Sequence, residues 1–78
     1  MNAIQCKMAR VAVGLGVREL AEKAEISPNT VSRMERGEDL KQSTVDVIQK
    51  ALEVAGVEFI PENGGGVGVR LKKSNEDI

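Results

Sequence analysis

The chain of 78 residues contains no histidine, tryptophan or tyrosine, and its one aromatic residue is Phe59. Without histidine it lacks the usual neutral-pH proton shuttle and the commonest metal ligand. Without aromatic platforms it cannot bind single strands by base stacking. Cys6 stands alone. It cannot close an intrachain disulfide, has no histidine to activate it as a nucleophile, and offers no paired-cysteine spacing for zinc. No cofactor and no metal are therefore expected, and the missing acid–base set argues against an enzyme. Long apolar runs are absent as well, so no membrane partner or membrane span is expected. Lys7 and Arg10 lie within the first apolar pattern rather than ahead of it, unlike a secretory leader. A lone cysteine fits the cytoplasm as the expected compartment.

What is present is globular in composition, with 41% hydrophobic and 29% charged residues. The length allows one small domain. Such a domain buries only about 60% of its unfolded surface, so its core is marginal and a partner chain would help it. The formal charge of −1 argues mildly against nucleic acid, because DNA-binding domains are often basic. Arg33, Arg36 and Lys41 are interleaved with Glu35, Glu38 and Asp39, which leaves no basic run.

Periodicity predicts a first helix from Ala3 to about Gly14, with Ile4, Met8, Val11, Ala12 and Leu15 at helical spacing. A second helix is predicted over 17–24, with Leu20, Ala21 and Ala24 on one face. After the break Glu25-Ile26-Ser27, Ser27 reads as a cap and Pro28 as a first helical residue, where the missing proline N–H costs nothing. The third helix is expected to end at Arg36, with Gly37 as its left-handed stop. Ser43 reads as the cap of a fourth helix, from Thr44 to Ala55. That helix carries a core stripe (Val45, Ile48, Leu52, Ala55) and a second stripe (Val47, Ala51, Val54), so two different surfaces should cover it. Val57–Ile60 and Val67–Leu71 flank a glycine-rich turn and read as a β-hairpin. A lone hairpin is barely stable, so it must pack on something, and the second stripe of the fourth helix is the expected site. The expected organisation is a helical unit over residues 1–56, with its pair of short helices at about 17–36. A hairpin extension over 57–73 and a frayed tail over 74–78 follow. Cys6, Met8 and Met34 are read as core residues, and Phe59 as hairpin packing. The triple glycine at 64–66 lacks the strand–loop–helix context of a phosphate loop.

Two short helices joined by a three-residue break form a helix-turn-helix pattern. Ala21 is small where the two helices would cross, Ile26 would plug the turn, and Val31 and Met34 would seat the third helix. Pro28, Asn29, Ser32, Arg33 and Arg36 then fall on the outer face. A major groove admits one α-helix, in which asparagine can pair with adenine and arginine with guanine. Arg18, Arg36 and Lys41 are candidate phosphate contacts, each equally readable as a solvated surface charge. The same helical pattern also occurs in all-α domains that never touch DNA.

The run Ala9-Arg10, Leu20-Ala21-Glu22-Lys23-Ala24, Ile26-Ser27-x-x-Thr30-Val31-Ser32-Arg33-Met34-Glu35-x-Gly37 and Ala51-Leu52 resembles the lambda-repressor-like helix-turn-helix family, the XRE-type transcriptional regulators. The resemblance implies a mainly α, four- to five-helix bundle, here with a short C-terminal hairpin, that binds double-stranded operator DNA as a homodimer. It places Pro28, Asn29, Ser32 and Arg33 at base-reading positions, although proline offers no donor. Thr30, Lys41, Gln42 and Ser43 fall at phosphate-contacting positions, and Arg10 and Glu35 at a bridging ion pair. Where the family often has a cap residue and a glutamine, this chain has Gly16 and Val17. There the backbone amides of Val17 and Arg18 would face a phosphate without a side-chain clamp. Dimerisation is expected through the fourth helix or the hairpin, by Val47, Val54, Val57, Phe59, Val69 and Leu71. The alternative is an antitoxin-like module whose main partner is another, unidentified protein.

Overall fold

Asn2 and Gln5 open the first helix by capping each other. Asn2 Oδ1 accepts from the Gln5 amide at 2.8 Å, and Gln5 Oε1 accepts from the Asn2 amide at 3.0 Å. This reciprocal pair satisfies two amides that a helix start leaves without partners. It begins α1 (Ala3–Ala12) in the computed structural model, which describes residues 1–72. The expected tail at 74–78 lies outside the described residues. α2 (Val17–Ala24) starts at Gly16, whose amide donates to Glu19 Oε1 at 2.8 Å. α3 (Pro28–Glu35) starts at Ser27, whose Oγ accepts from the Thr30 amide at 3.3 Å.

α4 (Gln42–Val54) begins earlier than the sequence predicted. The Lys41 carbonyl already accepts from Thr44 and Val45, so Ser43 lies inside the first turn rather than capping it. β1 (Val57–Ile60) and β2 (Gly68–Leu71) pair antiparallel with Val57 opposite Leu71 and Phe59 opposite Val69. The turn between them is drawn together by Glu62, whose Oε2 accepts from the amides of Gly64 and Gly66, both at 2.9 Å. Those two bonds, Gly66 first, hold the Glu62 carboxyl below the usual carboxylate range.

The buried core joins Cys6 and Ala9 of α1, Leu20 and Ala21 of α2, Val31 and Met34 of α3, Ile48 and Leu52 of α4, and Val57 of β1. Among the described residues the architecture is therefore four helices and one hairpin around a single apolar centre. Two expectations about packing are corrected. The first concerns the inward face of α1. Ile4, Met8 and Val11 are exposed, at 67%, 37% and 64%, whereas Gln5, Cys6 and Ala9 face inward. The second concerns the hairpin, which lies against α1 through β2 and against α4 through β1. Gln5 accounts for both corrections. Its Nε2 donates to the carbonyls of Ile60 and Gly68, each at 3.1 Å, and so ties both strands to α1. Carbonyls facing the interior need donors, and a glutamine supplies them where an apolar side chain could not. The second stripe of α4 is consequently left without the hairpin, with Val47 42% and Val54 77% exposed and only Ala51 half-buried against the core. Ala55, placed in the core stripe from sequence, is also exposed.

Candidate nucleic-acid interface

The outer face of α3 is presented by three local devices that the sequence encodes. Ala21 at 1% exposure lets α2 approach α3 closely, while Val31 and Met34 turn the inner face of α3 into the core. At the turn, Glu25 occupies the left-handed region at φ +57°, and the Ile26 amide reaches back to the Ala21 carbonyl at 3.0 Å. Ile26 packs on the core from this position, closing α2 with the hydrogen-bond pattern and apolar contact of a Schellman motif. Glutamate there carries a steric cost that glycine would avoid.

Pro28 and Asn29 are exposed at the start of α3, and Arg33 is half-buried one turn beyond Asn29. Ser32 is also half-buried, and Arg36 is exposed at the end of the helix. Thr30 is partly covered, and its hydroxyl lies 3.1 Å from Ser27 Oγ. A helix of this kind, short and polar outward, fits a B-form major groove with its first turns nearest the base edges.

Behind that face sits the Arg10–Glu35 pair. Arg10 Nε donates to Glu35 Oε2 at 2.7 Å and Nη2 to Oε1 at 2.9 Å, while Nη1 donates to the Leu15 carbonyl at 3.1 Å. The side chains are only 15% and 7% exposed. The hydrogen bond to Glu35 is the first cause that holds the Arg10 guanidinium more firmly charged than usual. Cys6 Sγ lies 3.7 Å from the same carboxylate. Burial, with the Glu35 charge adding to it, pushes the Cys6 thiol up to about 12, so the sulfur is an inert core atom at ordinary pH.

The end of α3 holds a group built on Glu38, which the sequence showed only as an acidic residue interleaved among basic ones. Gly37 adopts φ +83°, which an L side chain resists, and its amide donates to the Met34 carbonyl. The Glu38 amide then reaches the Arg33 carbonyl at 3.1 Å. The Glu38 side chain returns to the same arginine, with Oε1 accepting from Arg33 Nε at 3.0 Å. Its Oε2 accepts from Arg36 Nε at 3.0 Å and Nη2 at 2.8 Å. Hydrogen bonds from Arg33, then Arg36, hold the Glu38 carboxyl below the usual carboxylate range. The only signal in the sequence was an acidic residue directly after the helix-stopping glycine.

The other candidate positions scatter more widely. Val17 is half-buried and packs on the core, Arg18 is exposed, and the Glu19 carboxylate occupies the amide of Gly16 beside them. A phosphate approaching the start of α2 would meet that negative charge. Lys41, Gln42 and Ser43 are all exposed, but Gln42 Nε2 already donates to Asp46 Oδ1 at 2.8 Å. Of the residues expected at a dimer surface, Val47, Val54 and Leu71 are exposed, whereas Phe59 and Val69 are half-buried against the core. Val57 is fully buried within the chain, packed between α1 and α4, and is corrected from contact surface to core.

A family model described as helix-turn-helix matches residues 7–59, from within α1 to within β1 and more than half of the chain. No curated protein compared with the chain matches it.

Proposed function

Since the chain belongs to the helix-turn-helix family, in its lambda-repressor-like (XRE-type) branch of DNA-binding transcriptional regulators, we propose that it reads a pseudo-palindromic operator as a homodimer and acts as a repressor or autoregulator in the cytoplasm. The observation that carries this reading is the division of α3 into a buried side, Val31 and Met34, and an outward side led by Asn29 and Arg33. Asn29 is suited to adenine and Arg33 to guanine, with Pro28 and Ser32 shaping the contact around them. Arg18, Thr30, Lys41 and Ser43 are the residues available to phosphates, while Arg36 is engaged by Glu38. With a formal charge of −1, binding rests on few of them, and non-specific affinity is weak.

A dimer places two recognition helices about 34 Å apart on one face of the duplex and blocks promoter DNA by covering it. The uncovered face of α4 supports such pairing. Val47, Ala51, Val54 and Ala55 line a groove of about 550 Å³, flanked by Lys23, Lys50, Glu25 and Asp46, charges of both signs that a two-fold-related copy can match. Protection of the intergenic DNA upstream of the gene tests the reading: two symmetric half-sites one helical turn apart are expected, and no protected site at modest ionic strength would refute it. Sedimentation of Val54→Glu tests the pairing, with a dimeric wild type and a monomeric variant expected. The second reading, a module whose main partner is another protein, draws support from the exposed Ile4, Met8 and Val11 face of α1. A co-purifying chain released by Met8→Glu would favour it.

A further inference from the structure

Arg33 is held by one edge. Glu38 accepts from its Nε, and among the described residues neither Nη atom of Arg33 has a hydrogen-bonded partner. Glu38 is itself fixed twice over. Its backbone amide is tied to the Arg33 carbonyl by the Schellman turn at Gly37, and its second oxygen is gripped by the Nε–Nη2 edge of Arg36. In many such turns the residue after the glycine makes an apolar contact with the helix residue five before it. Here the same two positions are joined by an ion pair.

We propose that Glu38 is a positioning residue for base recognition, orienting Arg33 so that its two Nη donors are presented together to a guanine edge. The proposal rests on the DNA-binding reading above and assigns Glu38 a part in it. Guanine offers O6 and N7 as adjacent acceptors in the major groove, and a bidentate contact needs a planar donor pair held in one orientation. An unrestrained arginine must lose several side-chain rotamers on binding. One held through Nε, in a pair whose side chains are 42% and 43% exposed, has already lost part of that freedom. The carboxylate also offsets one of the two positive charges of Arg33 and Arg36, which weakens indiscriminate phosphate contact and lowers non-specific affinity relative to specific affinity. Arg36 becomes the anchor of the device rather than a free phosphate contact.

The test is selection from a duplex library with a randomised core, using the full chain as wild type, Glu38→Ala, Glu38→Gln and Arg33→Ala. Binding of each protein to mixed-sequence duplex is measured over a salt series alongside. The expected result is that Glu38→Ala loses at least about fivefold of its preference at the base-pair position that Arg33→Ala also loses, while other positions keep theirs. Glu38→Gln retains an acceptor for Arg33 Nε and keeps part of that preference. Glu38→Ala binds mixed-sequence duplex more tightly than wild type, with a log affinity against log salt slope steeper by up to about 0.9 for each newly engaged phosphate. A residue that only capped the helix would change melting and leave the preference profile alone. If the wild type selects a motif and both Glu38 variants select the same one with equal strength, the proposal is overturned and the DNA-binding reading survives. If the wild type selects no motif, the DNA-binding reading itself fails.

Discussion

Replacing Arg10 by alanine strips Glu35 of both its guanidinium bonds, 2.7 and 2.9 Å long, and leaves a carboxylate that is 7% exposed facing the Cys6 sulfur. It also removes the donor to the Leu15 carbonyl. Breaking a buried pair by removing one partner costs about 3–5 kcal/mol, because the remaining charge is uncompensated. At the usual 0.05–0.15 kcal/mol per residue, a domain of this size has about 4–12 kcal/mol in total. Arg10→Ala therefore consumes a large share of the stability. Urea unfolding followed by far-ultraviolet circular dichroism reads the loss. With a slope of about 1 kcal/mol/M, the midpoint falls by about 3–5 M or the variant is unfolded without denaturant. The double variant Arg10→Met, Glu35→Leu removes both charges together and should recover most of the loss, since a buried pair adds little net stability over apolar packing. An unchanged midpoint for Arg10→Ala would refute the reasoning, and lost DNA affinity with normal unfolding would place Arg10 on a phosphate instead.

Gln5→Leu leaves the Ile60 and Gly68 carbonyls without their donor and removes the acceptor of the Asn2 amide, while Asn2 Oδ1 still accepts from the backbone amide at position 5. Stability should fall by about 2 kcal/mol, with faster amide exchange in β1 and β2 than in α3. Equal protection of the hairpin in wild type and variant would contradict the role given to Gln5. Glu25→Gly removes a side chain from a left-handed backbone position and should stabilise by up to about 1 kcal/mol, the relief being partly offset by the added freedom of glycine in the unfolded chain. A lower Tm for Glu25→Gly would show that Glu25 supplies a compensating contact. The Cys6 thiol, moved from 9.0 to about 12 by burial, binds its proton more tightly in the folded state. Its contribution is complete below pH 9 and is lost as pH rises through 12, so wild-type stability should decline across that window more steeply than that of Cys6→Ala. Identical alkaline profiles would remove Cys6 from the account.

The helix-turn-helix unit was legible because each of its determinants is local. Ala21, Ile26, Ser27-Pro28 and Gly37 set the crossing, the turn, the start and the stop within seventeen consecutive residues, and Val31 and Met34 then fix which side of α3 is wet. The inward face of α1 was not legible, because Ile4, Met8 and Val11 form as regular a stripe as Cys6 and Ala9 do. What chooses between them is the demand of the distant hairpin for the Gln5 donor, a contact 55 and 63 residues away in sequence. The Asn2-x-x-Gln5 spacing does carry a capping signal, but it specifies a helix start and not a partner. Ser43 was misplaced because a cap preference cannot outweigh a turn that already begins at Lys41. Glu38 went unassigned for a related reason. Its bonds to Arg33 and Arg36 exist only once Gly37 has reversed the chain.

The central claim is that the outward side of α3 reads base pairs through Arg33 and Asn29. The most direct measurement compares the base-preference profiles of wild type and Arg33→Ala on the same duplexes at the same ionic strength. The account predicts that one symmetry-related pair of positions loses about 1–3 kcal/mol of discrimination while the rest of the profile and the melting curve stay as they were. A profile that Arg33→Ala leaves unchanged would contradict it.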